Sequence, residues 1–364
     1  MISRLHYVGA THKSAALAVR EQLTAGPDRV IDLLSRLGTI AEERVVVSTC
    51  GRFEIYLVQD AEPHFDWLSR LSGVVGLSPD TLQRHVELLS GEAAARRALR
   101  VAGGLESKII GEHQILGQVR GAFEAAHLAG AAGPLLSTLF RSAIHAGKRV
   151  RSETSLGRLA RSYAALAVDL VQQSLGSVTN KSVAVFGTGA MAREAAARLA
   201  TTSSDNLIII SGHADRAAAL AGELRCRHCT TDALPTVLTE IDAMICCTAS
   251  RWGLVELHLA RRTAAKPLTL IDLGMPRNVD PAVGMLPGVR LMDLDRIPEA
   301  AAPHRESIAR AEQIVESELA RVLKWARERE AAAAIARLAQ PQADRSRRRE
   351  IHRAILQLKE GAAA

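Results

Sequence analysis

The stretch VVVSTCGRFEIYLV, residues 45 to 58, sets one cysteine between an apolar run and an alternating one. Val45 to Val47 read as a buried strand and Glu54 to Val58 as its partner, so Ser48, Thr49, Cys50 and Gly51 fall on the turn between them. A thiol on a turn is accessible. Its thiolate is a nucleophile, and the thioester it forms with an acyl group accepts a hydride well. The plainer alternative is a small buried hydrophobe at a strand end. Arg52 and Glu54 follow closely. A guanidinium grips a carboxylate through two bonds, and a carboxylate receives an ammonium group, unless the two simply pair across a surface hairpin.

A second motif lies in VAVFGTGAMAREAAARLA. An apolar strand at 183–186 runs into Gly187-x-Gly189-x-x-Ala192 and then a helix. Gly187 permits the tight turn, Gly189 lets a pyrophosphate approach the backbone, and Ala192 lets helix pack on strand. Thr188, Ala190 and Met191 complete a cradle facing the helix N-terminus. At the end of the next strand, IIISGHADR offers Ser211, Gly212, His213 and Arg216 where an NAD site presents an acid, which favours NADPH; Asp215 matters only if the turn is shorter. A nucleophilic thiol in one domain and a nicotinamide site in another suit the reduction of an activated carboxylate to an aldehyde.

The elements around these motifs divide the chain. Residues 1 to 100 mix strands (5–8, 45–47, 54–58) with helices near 28–37 and 94–101, an α+β pattern. From 105 to 175 the pattern is helical, with a basic stretch at 141–162 whose Arg141, Lys148, Arg149, Arg151, Arg158 and Arg161 form either a backbone-binding face for nucleic acid or a solvated surface. Short apolar strands then alternate with helices from 183, which argues a doubly wound parallel sheet. Beyond Pro298 and Pro303, apolar residues at Ile308, Ala311, Val315, Leu319, Val322 and Ala326 predict one long amphipathic helix. Its stripe must be covered by the same chain or by a second copy. Pro341 and the arginines at 345, 347, 348 and 349 follow.

With 364 residues, 23% charged and 48% hydrophobic, the chain has the composition of a globular protein of two or three domains. Its net charge of +7 makes an anionic partner plausible. Five scattered cysteines form no disulfide framework, and no signal peptide or spanning apolar run is present, which predicts a cytoplasmic protein without membrane contact. Cys226-Arg227-His228-Cys229 has metal-ligand spacing but no second ligand pair, so it reads as an incidental loop and no metal site is expected.

These residues also carry a family resemblance. STCGRFEIY looks like the active-site signature of glutamyl-tRNA reductases, which reduce glutamyl-tRNA to glutamate-1-semialdehyde at the entry to tetrapyrrole (porphyrin, 5-aminolevulinate) synthesis. GATHKSAALAVRE at 9–21, VAGGLESKIIGEHQILGQVRGAFEAA at 101–126, GKRVRSET at 147–154, CCTAS at 246–250 and LIDLGMPRNVDPAVGMLPGVRLMDLD at 270–295 are similar to that family in order and spacing. The resemblance implies an α/β multidomain protein: an α+β catalytic domain (1–155), a Rossmann-type NADPH domain (156–297), and a long spinal helix with a short helical dimerisation region (298–364). It also implies that Cys50 attacks the aminoacyl ester, with Thr49, Arg52, Glu54, Ser107, Glu112, Gln114 and Gln118 lining the substrate pocket. Without the family, Ser107 to Gln118 would be just another polar helix face.

The implied partners are an aminoacyl-tRNA, glutamyl-tRNA by default, a second copy of the chain through the C-terminal helix, and a downstream aminomutase. The chain departs from the family pattern at Gly51 (usually Asn), Phe53 (usually Thr), Arg97 (a His near the active site), His113 (Pro) and Gly212-His213 (an Asn-Arg-Thr turn), and its C-terminal region is shorter than usual. Gly51 and Phe53 would reshape the pocket; His113 would stand in for the missing histidine or be an ordinary helix-start residue. The alternatives are a paralogue reducing another aminoacyl-tRNA and a catalytically silent tRNA- or partner-binding regulator. A small-molecule dehydrogenase of the shikimate type would explain the Rossmann half alone.

Overall fold

The computed structural model describes residues 1–60, 66–159, 161–203, 205–248, 255–256, 266–298 and 305–338. Pro303, Pro341, the arginines at 345–349 and residues 249–250 of CCTAS lie outside them. The chain forms two compact units: Met1–Ser14, Ala25–Ala160 and Pro303–Ala364 make one, and Ala15–Thr24 with Arg161–Ala302 the other.

The first unit is built on an antiparallel sheet of β1 (Leu5–Thr11), β2 (Glu43–Ser48), β3 (Arg52–Val58) and β4 (Glu87–Ser90), in the order β2-β3-β1-β4. Every residue of β3 is buried, as befits a central strand. The pleat puts Arg52, Glu54 and Tyr56 on one face and sends Phe53, 4% exposed, to the other. Phe53 therefore packs in the core rather than reshaping a pocket around Arg52 and Glu54.

Within this unit stand α2 (Pro27–Leu37), α3 (Trp67–Val75), α4 (Pro79–His85), α5 (Gly91–Ala102), α6 (Gln114–Leu128), α7 (Pro134–Glu153) and α8 (Leu156–Leu159), after α1 (Leu17–Leu23), which belongs to the second unit. Proline opens α7, and the buried Glu43 carboxylate caps it by accepting from Leu135 N (3.2 Å) and Leu136 N (2.7 Å). The long helix is present as α13 (Arg305–Leu338), following α9 (Tyr163–Leu175), α10 (Ala190–Ser203), α11 (Ala214–Leu224) and α12 (Leu234–Glu240). Its apolar stripe is buried against α5 and α7 of the same chain, so it needs no second copy to cover it. Glu318, on the same helix and 1% exposed, accepts from His145 Nδ1 (3.0 Å), Arg149 (3.1 Å) and Arg321 (3.0 Å).

The second unit carries a six-stranded parallel sheet of β5 (Val183–Phe186), β6 (Leu207–Ser211), β7 (Arg227–Thr230), β8 (Ala243–Cys246), β9 (Leu268–Asp272) and β10 (Val289–Asp293), ordered β10-β9-β8-β5-β6-β7. This is the doubly wound dinucleotide order, with its switch point between β5 and β8. The Cys226–Cys229 stretch, expected as a loop, forms edge strand β7, because three residues of it pair in parallel with β6. Among the described residues no group of three or more His, Cys, Asp or Glu could hold a metal, and no helix is long and apolar enough to cross a membrane.

Candidate active site

Cys50 sits half-buried on the turn between β2 and β3. The turn is closed by Thr49 N donating to Arg52 O (2.8 Å) and Gly51 N to Thr49 Oγ1 (3.2 Å). Chain on either side of α1 braces it: His12 N donates to Gly51 O (3.0 Å) and Ala25 N to Ser48 Oγ (2.9 Å). A side chain at Gly51 would meet nothing within 4 Å, so the glycine leaves open space beside the thiol.

Arg52 and Glu54 form an interior ion pair, not a surface one: their side chains are 2% and 0% exposed, at 2.9 Å. Glu54 also accepts from Tyr56 Oη (3.0 Å) and Tyr7 Oη (3.3 Å). Strand register explains the last contact. Gly9 faces Glu54 across β1 and β3, and a Cβ there would lie 2.1 Å from the Tyr7 hydroxyl, so only glycine leaves the path open. Burial and the Glu54 charge together push the Tyr7 phenol well above its ordinary range. Arg52 donates further to Glu106 O (2.6 Å), fastening the strand to the loop after α5.

That loop holds a hydroxyl and a carboxyl whose side chains make no hydrogen bond among the described residues. Among the described residues nothing bonds the Ser107 hydroxyl, although Ser107 is 7% exposed. The Glu112 carboxyl is equally enclosed; burial pushes it up to about 6 against the pull of the Arg52 charge. Its neighbour Glu106 goes the other way. Burial alone would raise it, but hydrogen bonds from Arg100 (2.7 Å) and Lys13 (2.9 Å) hold it at about 2. The Arg52 guanidinium thus meets Glu54, the Glu106 carbonyl and the charge of Glu112, while Thr49 bonds the Arg52 backbone and Ser107 adjoins Glu106 in the chain. Gln114 and Gln118 follow one turn apart on α6, half-buried, with no bond tying them to that cluster among the described residues.

Arg97, in place of a histidine, is engaged by Glu87 (2.7 Å) and lies over the Tyr7 ring at 5.2 Å. His113 is exposed and stands at the first position before α6 without a side-chain capping bond. Several cations of the basic stretch are engaged by neighbouring groups. Arg149 is held by Glu153 one turn on and by Glu318, the exposed Arg161 by Asp169, and half-buried Arg151 by the His113 carbonyl (2.5 Å). Arg141 and Lys148 stay exposed, and the Arg158 side chain lies outside the described residues.

The second unit presents a cleft of about 550 Å³ at the sheet's switch point, lined by Gly187, Thr188, Gly189, Ser211, Gly212, His213, Arg216, Thr231, Cys247 and Thr248 among others. Gly187 has φ +123°, and a Cβ on it would come 2.8 Å from the Cys247 carbonyl; Gly189 faces open space. Ala192 is fully buried beneath the turn, while Ala190 and Met191 open α10 without lining the cleft. Asp215 is an exposed residue in the first turn of α11 and does not line it either. Burial pushes the Cys246 and Cys247 thiols up, which leaves both inert.

Sequence reasoning passed over Tyr7, Tyr56, Glu106 and Asn278. Tyr56, two residues after Glu54 on one strand face, is the one that alternation alone reveals. Asn278 is fully buried and bonds the Thr248 backbone twice, through Oδ1 from Thr248 N (3.1 Å) and Nδ2 to Thr248 O (3.2 Å).

The comparisons with known proteins follow the same division. Residues 8–154 match the family described as "Glutamyl-tRNAGlu reductase, N-terminal domain", and residues 169–300 match "Shikimate / quinate 5-dehydrogenase". A glutamyl-tRNA reductase of Myxococcus xanthus is 36% identical across 97% of this chain and 82% of its own length. One from Thermus thermophilus is 37% identical across 88% and 80%. The solved glutamyl-tRNA reductase of Methanopyrus kandleri superposes with a TM-score of 0.50 at 28% identity, covering 98% of this chain and 88% of that one. The dehydrogenase-type sheet alone would fit many oxidoreductases, but joined to an N-terminal unit built around Cys50 and Arg52, and to these relatives along nearly its whole length, it shows that the chain belongs to the glutamyl-tRNA reductase family.

Proposed function

We propose that the chain is an NADPH-dependent glutamyl-tRNA reductase working through a Cys50 thioester. The observation that carries this reading is the half-buried thiol on a braced turn two residues from an interior guanidinium, in a chain whose other unit holds a dinucleotide cleft. The Cys50 thiolate adds to the ester carbonyl of glutamyl-tRNA, the bond to the tRNA ribose oxygen breaks, and that oxygen takes a proton. The product is a glutamyl thioester. Two-electron reduction of its carbonyl, followed by cleavage of the carbon–sulfur bond, returns the thiolate and releases glutamate-1-semialdehyde.

Arg52 receives the substrate's side-chain carboxylate; among the described residues only two of its five N–H donors are engaged. Thr49, Ser107, Glu112, Gln114 and Gln118 surround the amino acid, the unpartnered Ser107 hydroxyl and Glu112 carboxyl supplying polar contacts the fold itself does not use. Glu54 anchors Arg52 and completes the pocket.

The cleft fits the cofactor. Gly187, Thr188 and Gly189 hold the pyrophosphate, since no side chain crowds Gly189, with the start of α10 at Ala190–Met191 facing it and Ala192 seating the helix. Ser211, His213 and Arg216 receive the 2′-phosphate, and among the described residues no acid lines that end to repel it. Bound there, NADPH would supply the hydride. Functionally, 1–155 carries the thioester chemistry, 156–297 the cofactor, and 298–364 the spine and dimerisation; a homodimer, a downstream aminomutase and a cytoplasmic setting belong to the same reading.

The test is to incubate the purified protein with glutamyl-tRNA and NADPH, with and without Cys50→Ser, following cofactor oxidation and aldehyde formation. Omitting NADPH and searching for a glutamyl adduct on Cys50 by mass spectrometry isolates the first step. Turnover and adduct that both vanish in the mutant support the reading. Silence with glutamyl-tRNA but turnover with another aminoacyl-tRNA would replace the substrate, and binding without turnover across all of them would leave a regulator.

A further inference from the structure

The N-terminal segment lends one element to the cofactor unit: the chain leaves the first unit after Ser14, contributes α1, and returns at Ala25. Within the second unit α1 is fixed at two points. Asp295 caps its first residue, accepting from Leu17 N (2.8 Å), and pairs with Arg20. Glu21 grips Arg277 by three bonds: Oε1 accepts from Arg277 N (2.6 Å) and Nε (2.9 Å), and Oε2 from Nη2 (2.6 Å). Both side chains are mostly enclosed, Glu21 16% and Arg277 21% exposed, so solvent screens this fork less than a surface pair.

The next residue continues the chain of contacts. Asp272, at the end of β9, accepts from Gly274 N (2.9 Å), Asn278 N (2.8 Å) and Val279 N (2.9 Å), which folds the loop back on itself. Asn278 is thereby aimed at Thr248, whose N–H and C=O it bonds as a neighbouring strand would. Thr248 is a wall of the dinucleotide cleft. From α1 to the cleft the path is Glu21, Arg277, Asn278 and the Thr248 backbone.

We propose that Glu21, Arg277 and Asn278 are positioning residues for the dinucleotide, α1 setting the Thr248 wall of the cleft. The inference rests on the cleft taking NADPH. It places a determinant of cofactor affinity in the GATHKSAALAVRE segment, far in sequence from the glycine motif. Leaving donors of the Arg277 fork or of the Thr248 peptide unsatisfied lets the wall shift, and small displacements of a positioning group carry large losses.

The test is calorimetric binding of NADP+ to the full chain, wild type against Glu21→Gln, Arg277→Lys and Asn278→Ala, with melting of each variant. We expect Kd to rise roughly threefold to tenfold for Glu21→Gln, comparably for Arg277→Lys, which keeps the charge but loses the fork, and more for Asn278→Ala. Adduct formation on Cys50, which needs no cofactor, serves as the control for intact folding. A Glu21→Gln protein that binds NADP+ within about twofold of wild type refutes the inference. So does one whose melting, adduct formation and affinity all fall together. Should Asn278→Ala fail to fold, the two variants of the less buried pair decide alone. Wild type that does not bind NADP+ overturns the cofactor reading itself.

Discussion

Replacing Glu54 with glutamine keeps the shape of the side chain and removes its charge. Arg52, 2% exposed, is then left in the interior without a counter-ion, and because Tyr7 donates to Oε1 and Tyr56 to Oε2, one of the two hydroxyls loses its acceptor to the amide nitrogen. Breaking one side of a buried pair costs about 3–5 kcal/mol, because the remaining charge has lost its compensation. For a unit of this size that corresponds to a fall in melting temperature of roughly 6–20 °C. Because the chain has two units, a single melting curve mixes them, and hydrogen exchange of the β1 and β3 amides isolates the first. The double variant Arg52→Met, Glu54→Leu is expected to be less destabilised than the sum of its parts by at least about 2 kcal/mol, since neither charge remains. Thioester formation is lost in Glu54→Gln together with the orientation of Arg52. Protection of the β3 amides within about 1 kcal/mol of wild type would refute this reasoning and show that Glu54 is available to the substrate rather than committed to Arg52.

Two further outcomes follow from the same geometry. Gly187→Ala forces a side chain at φ +123° into the Cys247 carbonyl, so it should destabilise the second unit by about 1–3 kcal/mol, whereas Gly189→Ala, facing open space, should leave melting within about 0.5 kcal/mol yet weaken NADP+ binding at least roughly tenfold; calorimetry beside thermal denaturation separates the two. Glu106 has its folded pKa depressed from 4.5 to about 2, so its contribution is complete above the unfolded value and is lost as pH falls from about 4.5 toward 2. It amounts to about 3 kcal/mol, and the acid unfolding curve of Glu106→Gln should be flatter across that window.

The fold was largely legible where short-range rules apply. The strand, glycine turn and helix at 183–203, the turn carrying Cys50 and the long helix from 305 each announce themselves within one or two turns of chain, because dihedral preference and hydrophobic period are local properties. The site was legible in part. Cys50 and Arg52 could be picked out by type and spacing, and the loop from Ser107 to Glu112 only through the family resemblance, but the interior setting of the Arg52–Glu54 pair could not, since it depends on which strand lies beside β3 and in what register. Gly9 opposite Glu54 and the reach of the Tyr7 hydroxyl exist only once that register is set. The edge strand at Arg227–Thr230 was hidden because its polar sequence is stabilised by pairing with β6 rather than by its own pattern.

The sequence by itself determined most element types, the thiol on its turn, and a glycine motif between strand and helix without an opposing acid, all of which follow from the conformational and chemical limits of single residues and their near neighbours. Only the tertiary structure decided which charges are spent inside the protein and which stay available. It paired Arg149, Arg151 and Arg161 with neighbouring groups, covered the stripe of α13 with α5 and α7, and joined α1 to the second unit through Glu21 and Arg277. Those outcomes depend on partners distant in sequence, and electrostatic pairing and burial are properties of the surroundings a fold creates, not of the residue that enters them.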